Sequence, residues 1–563
     1  MNRFLLVILL CATTVVAVAQ ERAPRWMAKS RNAMLLVTAF DSNGKVLRTG
    51  TAFFVSADGE AVASYSLFED AASAEAKSSD GRSTYKVDRV LGADNMYDVI
   101  RFKVEVSRPV VFLPIANENV AVDEKVYMMQ FSTDRVQPFT VGTILETSTF
   151  NGPFAYYKVS FPISGYEVNS PLILSTGEVI GLAQEDASGQ SENSYAVSAT
   201  YANSLNFNLI DHIGKAYSFI QIKKAWPSDV NEADFVLQNA ASELDIDKYL
   251  EVVNDFISVF PNSPEGYSSR AMYYMLIESL SKAMDDITTA INRSEEKEEM
   301  YYRKANMIFS AVVEDSTITE VGWSSDAALE AVNQAITIKD NALYRLLQGH
   351  IFFYMQDYNA AYASYAVVND SDMASFESYT HSVEALVRTT GFNIGDVIDL
   401  LDKAIASTGY SPTLAAAPLV LERAEWRSRL ALHDEEVKDY DLYYDIVRGD
   451  VNAIFFYFRH QAKIKAGDMN GALEDIQQAI ALEPEADYLA EEASLFIRMD
   501  EYEKALQSLN KALEINPDFG ACYRLKGVCL LRLNRAAEAC EAFSKAKELG
   551  DPVVDRLIKD NCE

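Results

Sequence analysis

Between residues 33 and 215 the apolar positions fall in short, strand-length runs rich in Val, Phe, Tyr and Ile, separated by turn signals. Ala33–Phe40 leads into Asp41-Ser-Asn-Gly44, and Lys45–Val55 leads into Ser56-Ala-Asp-Gly59. Val110–Ile115, Lys125–Gln130, Phe154–Phe161 and Pro171–Leu174 continue the pattern. Gly44, Gly59 and Gly177 stand where tight turns need a positive φ. On spacing alone this predicts an all-β sandwich or barrel.

From about residue 230 the pattern takes on the helical period. Gly471-Ala-Leu-Glu-Asp-Ile-Gln-Gln-Ala-Ile-Ala-Leu-Glu-Pro484 recurs as Glu503–Pro517 and again as Ala537–Leu549. The alanine pairs Ala472/Ala479, Ala505/Ala512 and Ala539/Ala546 are offset by 33 and 34 residues. Ala283/Ala290, Ala328/Ala335, Ala361, Val397/Ala404, Val437 and Tyr249 mark weaker copies. The expected organisation is a leader at 1–19, a lead at 20–32, a β domain at 33–215 and a linker at 216–230. An array of about nine helical hairpins then fills 231–563, with longer connections near 310–322 and 408–416. A lone hairpin cannot bury its apolar face, so neighbours stack, with alanines permitting close approach and Ile476, Leu509 and Phe543 filling the seams. Clusters such as Phe455-Phe-Tyr-Phe458 are read as seam packing first.

Particular motifs sharpen both halves. Gly50-Thr-Ala-Phe-Phe-Val-Ser-Ala-Asp-Gly59 resembles the hairpin that precedes the catalytic histidine in HtrA-type, trypsin-like serine proteases. Tyr97-Asp-Val-Ile-Arg-Phe-Lys103 is similar to that family's acid-bearing strand, and Pro171–Leu182 resembles the stretch after its nucleophile. Tyr195–Thr200 is similar to the closing strand before the family's last helix. The helical half resembles the tetratricopeptide repeat, with a small residue, a larger one four positions on and a closing proline. The resemblances imply a multidomain β + α protein, a trypsin-like double β-barrel followed by an α-helical tetratricopeptide superhelix.

The protease resemblance also implies where chemistry should sit, and there the residues depart from it. The histidine place falls at Ser66, the acid at Asp98 and the nucleophile at Val168. No histidine precedes His212. Serine Oγ needs an adjacent base such as imidazole, whose pKa lies near the working pH. Ser66 cannot take that proton, Val168 has no nucleophilic atom, and Tyr166-Glu-Val-Asn-Ser170 replaces the loop that forms the family's oxyanion hole. The competing reading slips the register by one or two residues, making Ser170 the nucleophile with Lys158 as its base.

By the geometry usual in the repeat family, Tyr457, Gln461, Ile464 and Lys465 face a docking groove, joined by Arg498, Arg524 and Arg532 from later repeats. Such a basic rim suits a peptide carboxylate.

Composition adds constraints. The formal charge of −32 disfavours phosphate backbones and anionic lipid, so no nucleic-acid partner is expected. Arg3, the apolar run that follows it and Ala17-Val-Ala19 form a secretory signal pattern. Lipidation at Cys11 is disfavoured by Leu10, and no transmembrane segment is expected. The other four cysteines lie at 522, 529, 540 and 562. Export permits a disulfide between Cys540 and Cys562, with buried free thiols as the alternative. Phosphate loops, metal clusters and cofactor motifs are missing, so no cofactor is expected. The expected function is an exported, non-catalytic interaction scaffold for a protein or peptide partner. The combination resembles envelope proteins of Gram-negative bacteria, which places it in the periplasm. The alternative is a divergent, active trypsin-like endopeptidase that uses its repeats to recruit substrate.

Overall fold

The computed structural model describes residues 22–134, 138–186, 192–213, 217–318, 320, 322–409 and 412–562, so the expected leader at 1–19, with Cys11, lies outside the described residues. The chain divides into two compact units, Met1–Tyr273 and Tyr274–Glu563.

In the first unit, period-2 burial closes two six-stranded barrels. The first joins β1 (Met34–Phe40), β2 (Val46–Phe54), β3 (Glu60–Ala63), β4 (Ser73–Ser78), β5 (Thr84–Asp94) and β6 (Val99–Val104) in the order β1-β2-β3-β6-β5-β4. The second joins β7 (Lys125–Met129), β8 (Phe139–Phe150), β9 (Phe154–Val159), β10 (Pro171–Leu174), β11 (Val179–Gln184) and β12 (Ser194–Ser198) in the order β10-β11-β12-β9-β8-β7. On β1, Leu35, Val37 and Ala39 are buried while Leu36, Thr38 and Phe40 stay half-exposed. A one-residue slip would send that set to the wrong face, so burial fixes the register Val37↔Gly50 and Val37↔Ala76. Phe53, Val62, Ile100 and Phe102 complete the first core, and Val126, Ile144, Tyr157 and Leu172 fill the second. Each such side chain contributes about 1.5–3 kcal/mol by leaving water. Gly59 turns β2 into β3 at φ +95°, where an added Cβ would lie 2.7 Å from the Val104 carbonyl oxygen.

Of the segment expected as a linker, 216–230, the described residues 217–230 are bonded back to the first barrel. Val90 N donates to Lys223 O and Ala225 N donates to Val90 O, both at 2.7 Å, while Gln221 N donates to Ala71 O at 3.0 Å. Asp255, on helix Ile246–Val259, accepts from Trp226 Nε1 at 2.9 Å and pairs with Lys223 and Arg89 at 3.1 and 3.2 Å. The first helices therefore fold as part of the same unit as the barrels.

The second unit is helical among its described residues. After helix Leu280–Arg293 come seven helix pairs, from Lys297–Glu314 with Ser325–Ile338 to Gly520–Arg532 with Ala536–Glu548. Their starts carry ordinary N-caps: Asn341, Asp357, Ser375, Asn393, Asn452 and Asp468 each accept an amide of the first turn. Ala472, Ala479, Ala505, Ala512, Ala539 and Ala546 are fully buried, as are Ile476, Leu509 and Phe543.

Where small meets large the contact is close. A Cβ added at Gly349 or Gly527 would lie 2.4 Å from the ring of Tyr365 or Phe543. Gln348, next to Gly349, belongs to a row of polar straps, each spanning 16 residues: Ser364 Oγ to Gln348, Arg423 to Asp439, Arg459 to Asp475, and Ser508 Oγ to Glu492.

Candidate functional site

Pairing of β3 with β6, through Ala63↔Ile100, carries the turn Tyr65–Leu67 beside the residue that opens β6. Asp98 sits there at φ +51°. Its Oδ1 accepts from Ser66 N at 2.7 Å and its Oδ2 accepts from Ser66 Oγ at 3.0 Å. The structure thus brings the expected base and acid places together, with a hydroxyl where an imidazole is needed. A hydroxyl that donates to a carboxylate orients itself there but takes no proton near neutral pH.

The third expected position lies on the loop before β10. Residues Gly165–Glu167 wind into a 3₁₀ turn held by a capping box between Ser164 and Glu167. Within it Val168 N donates to Gly165 O at 3.3 Å, and Ser170 N donates to Glu167 O at 3.0 Å. An oxyanion hole needs amides aimed outward at developing charge, and the amide of Val168 is consumed inside the turn. Val168 itself is half-buried against the second core.

The loop is stapled to the first barrel. Thr51 Oγ1 donates to Tyr166 O, and Asn169 Nδ2 donates to Ser64 Oγ, each at 2.9 Å. Gln130 Nε2 donates to Glu167 Oε1 at 2.6 Å. Sequence reasoning missed Thr51, Ser64 and Asn169. Each is 5 % exposed or less, and nothing in the neighbouring residues marks it as buried. Asn169 adopts φ +66°, which its side chain tolerates better than most.

The competing nucleophile is poorly placed. Ser170 Oγ is fully buried and has no hydrogen-bond partner. Its residue pairs with Ala183, and the row continues through Ala196 to Tyr157. Lys158 is therefore three strands away, about 14 Å along the sheet, and alternation turns it to the other face. His212 places Nε2 3.0 Å from the carbonyl of Ala225 and packs on Phe207; burial pushes its pKa down.

In the helical unit the expected docking residues separate. Gln461 and Lys465 line a groove of about 820 Å³ beside Tyr440, Tyr443, Asp450 and Phe458. Tyr457 and Ile464 turn into the seam instead, Tyr457 standing 5.3 Å from the Tyr488 ring. Arg524 is held by the buried carboxylate of Asp551 at 2.9 Å. Arg498 and Arg532 are exposed in the last turns of their helices, where a cation favours the dipole. One of the three arginines expected at the rim, Arg524, thus already holds an acid of the protein itself.

Cys540 and Cys562 form a disulfide that ties the last helix, Val554–Asn561, to the helix before it. Cys522 and Cys529 are free and buried, and burial pushes their thiols up to about 12 and about 11. Among the described residues no three His, Cys, Asp or Glu side chains group as a metal site, and no helix is long and apolar enough to cross a membrane.

Comparison with known proteins agrees with this division. Residues 50–182 match the trypsin-like peptidase domain. A stretch of 97 residues is 32% identical to small glutamine-rich tetratricopeptide repeat-containing protein 2 of Mycosarcoma maydis, covering 17% of this chain and 27% of that protein. The chain thus spans about a quarter of the length of that relative.

Proposed function

We propose that this chain is an exported, non-catalytic interaction scaffold, in which a trypsin-like domain without hydrolytic machinery is joined to a peptide-docking helical array. The observation that carries the reading is the pair Ser66–Asp98, a base position whose hydroxyl and amide both donate to the acid. Val168 adds nothing that attacks a carbonyl, and its amide is spent within the loop. The barrels persist because their packing holds a surface, and the work passes from cleavage to contact. Export is supported by the signal pattern at Met1–Ala19 and by the Cys540–Cys562 disulfide, which oxidising compartments maintain. Both fit an exported, oxidising compartment, and the resemblance to envelope proteins favours the periplasm of a Gram-negative cell.

The test uses the purified full-length protein in two arms. Incubated with casein, it leaves the substrate intact; incubated with a cell-envelope extract, it retains a polypeptide partner. Cleavage of casein that survives repurification supports the endopeptidase reading in its place, and failure to retain any polypeptide removes the docking half.

A further inference from the structure

We infer that the groove between helices Ala417–Arg429, His433–Ile446 and Ala453–Ala466 takes an extended polypeptide segment bearing a basic side chain next to an apolar or aromatic one, an inference that rests on the docking reading above. The groove's chemistry selects against an acidic partner. Glu425, Glu436 and Asp450 contribute carboxylates to its lining, against a single ammonium from Lys465; Glu425 also meets Arg429 at 2.5 Å and the buried Glu436 meets His433 at 2.9 Å, which leaves Asp450 the most open of the three. Cations nearby are already committed inward. Arg423 and Arg427 grip Asp439 and Asp402, at 2.5 to 3.4 Å, while Arg459 and Lys463 grip Asp475, at 2.6 and 2.8 Å. A partner's carboxylate entering here meets more carboxylates than cations in the lining.

A cation finds the opposite. Tyr440, Tyr443 and Phe458 line the groove together with those carboxylates, and aromatic rings beside acids are the combination that holds an ammonium or guanidinium by cation–π and Coulomb attraction together. The negative field registers on Tyr440, whose hydroxyl is pushed up to about 12 by burial, then by Glu436 and Glu425. Phe458 and Ile454, side by side in the lining, are 49% and 50% exposed, and an apolar side chain of the partner covers them. Ser428 and Gln461 supply polar groups for a passing main chain. The groove's 820 Å³ lies in the range of ligand pockets and accepts a few side chains, not a folded domain.

The experiment measures fluorescence anisotropy of the full-length protein with two labelled nonapeptides, one alternating lysine with phenylalanine, the other glutamate with phenylalanine. The lysine peptide is expected to bind about tenfold tighter or more, the factor that one well-placed contact supplies. Glu425→Lys with Asp450→Lys, both exposed positions, is expected to weaken it about tenfold, and Phe458→Ser by a similar factor. Glu514→Lys with Asp518→Lys makes the same charge change at exposed positions outside the groove and is expected to leave binding alone. Equal weakening by that remote pair overturns the inference, since attraction is then only to an acidic protein. Tighter binding of the glutamate peptide, lost on Lys465→Ala, overturns the inference but leaves docking standing. Binding of neither peptide overturns it too, and the envelope-extract arm then reports separately whether docking survives.

Discussion

Arg459 and Asp475 grip one another at two points across a helical hairpin, Nε to Oδ2 at 2.9 Å and Nη2 to Oδ1 at 2.6 Å, with both side chains nearly out of water. Lys463 adds a third contact to the same carboxylate at 2.8 Å. Removing the acid leaves Lys463 with no carboxylate and Arg459 with only the exposed Asp441, 3.0 Å away, so Asp475→Ala is expected to cost about 3 kcal/mol. Replacing all three, Arg459→Met, Lys463→Met and Asp475→Leu, is expected to cost much less, because no uncompensated charge remains. Urea unfolding followed by helical circular dichroism measures both. A triple variant as weak as the single one contradicts this account of the strap.

Gly527 offers a test in which two effects oppose. In a helix interior Gly→Ala ordinarily gains about 1 kcal/mol. Here the new methyl meets the Phe543 ring at 2.4 Å, and forcing the helices apart costs about 1–3 kcal/mol. Gly527→Ala is therefore expected to destabilise, and Phe543→Leu in the same chain to recover part of the loss. A stabilised single variant would mean that the hairpin has room.

His350 gives the helical unit an acid-sensitive element. Its Nε2 is buried with no partner, and burial together with His381, 4.9 Å away between ring centroids, lowers its pKa from 6.5 to about 4. Between those values the unfolded chain binds a proton that the folded one refuses, so stability rises with pH through the window and falls on acidification. The loss between pH 6.5 and pH 4 amounts to about 3 kcal/mol at most, at 1.36 kcal/mol per unit. His350→Phe is expected to flatten the dependence of the unfolding midpoint between pH 7 and pH 4.5. An unchanged slope would assign the acid sensitivity to other groups.

Much of this architecture was legible in residue order because it rests on local periodicity. Alternation on β1 and the alanine pairs at 472/479 and 505/512 each report burial directly, and each is buried as the pattern requires. The motifs also pointed to Ser66 and Asp98, which the pairing of β3 with β6 sets side by side although β4 and β5 intervene in the chain. Long-range choices were not legible. Nothing in the spacing distinguishes Gln461, which faces the groove, from Tyr457 one turn earlier, which packs on Tyr488 of the next hairpin. Arg524 likewise reads as a free guanidinium until the turn at Asp551 folds back onto it. The segment at 216–230 read as a linker because its main-chain bonds to Val90 and Ala71 carry no side-chain signature.

Intact-mass analysis of the full-length protein after incubation with a serine-directed fluorophosphonate decides whether the trypsin-like domain holds a working nucleophile. The account predicts no stoichiometric adduct, because Val168 has no hydroxyl, Ser66 donates to Asp98, and Ser170 Oγ is buried beyond the reach of Lys158. A one-to-one adduct that disappears on Ser170→Ala or Ser66→Ala would contradict it.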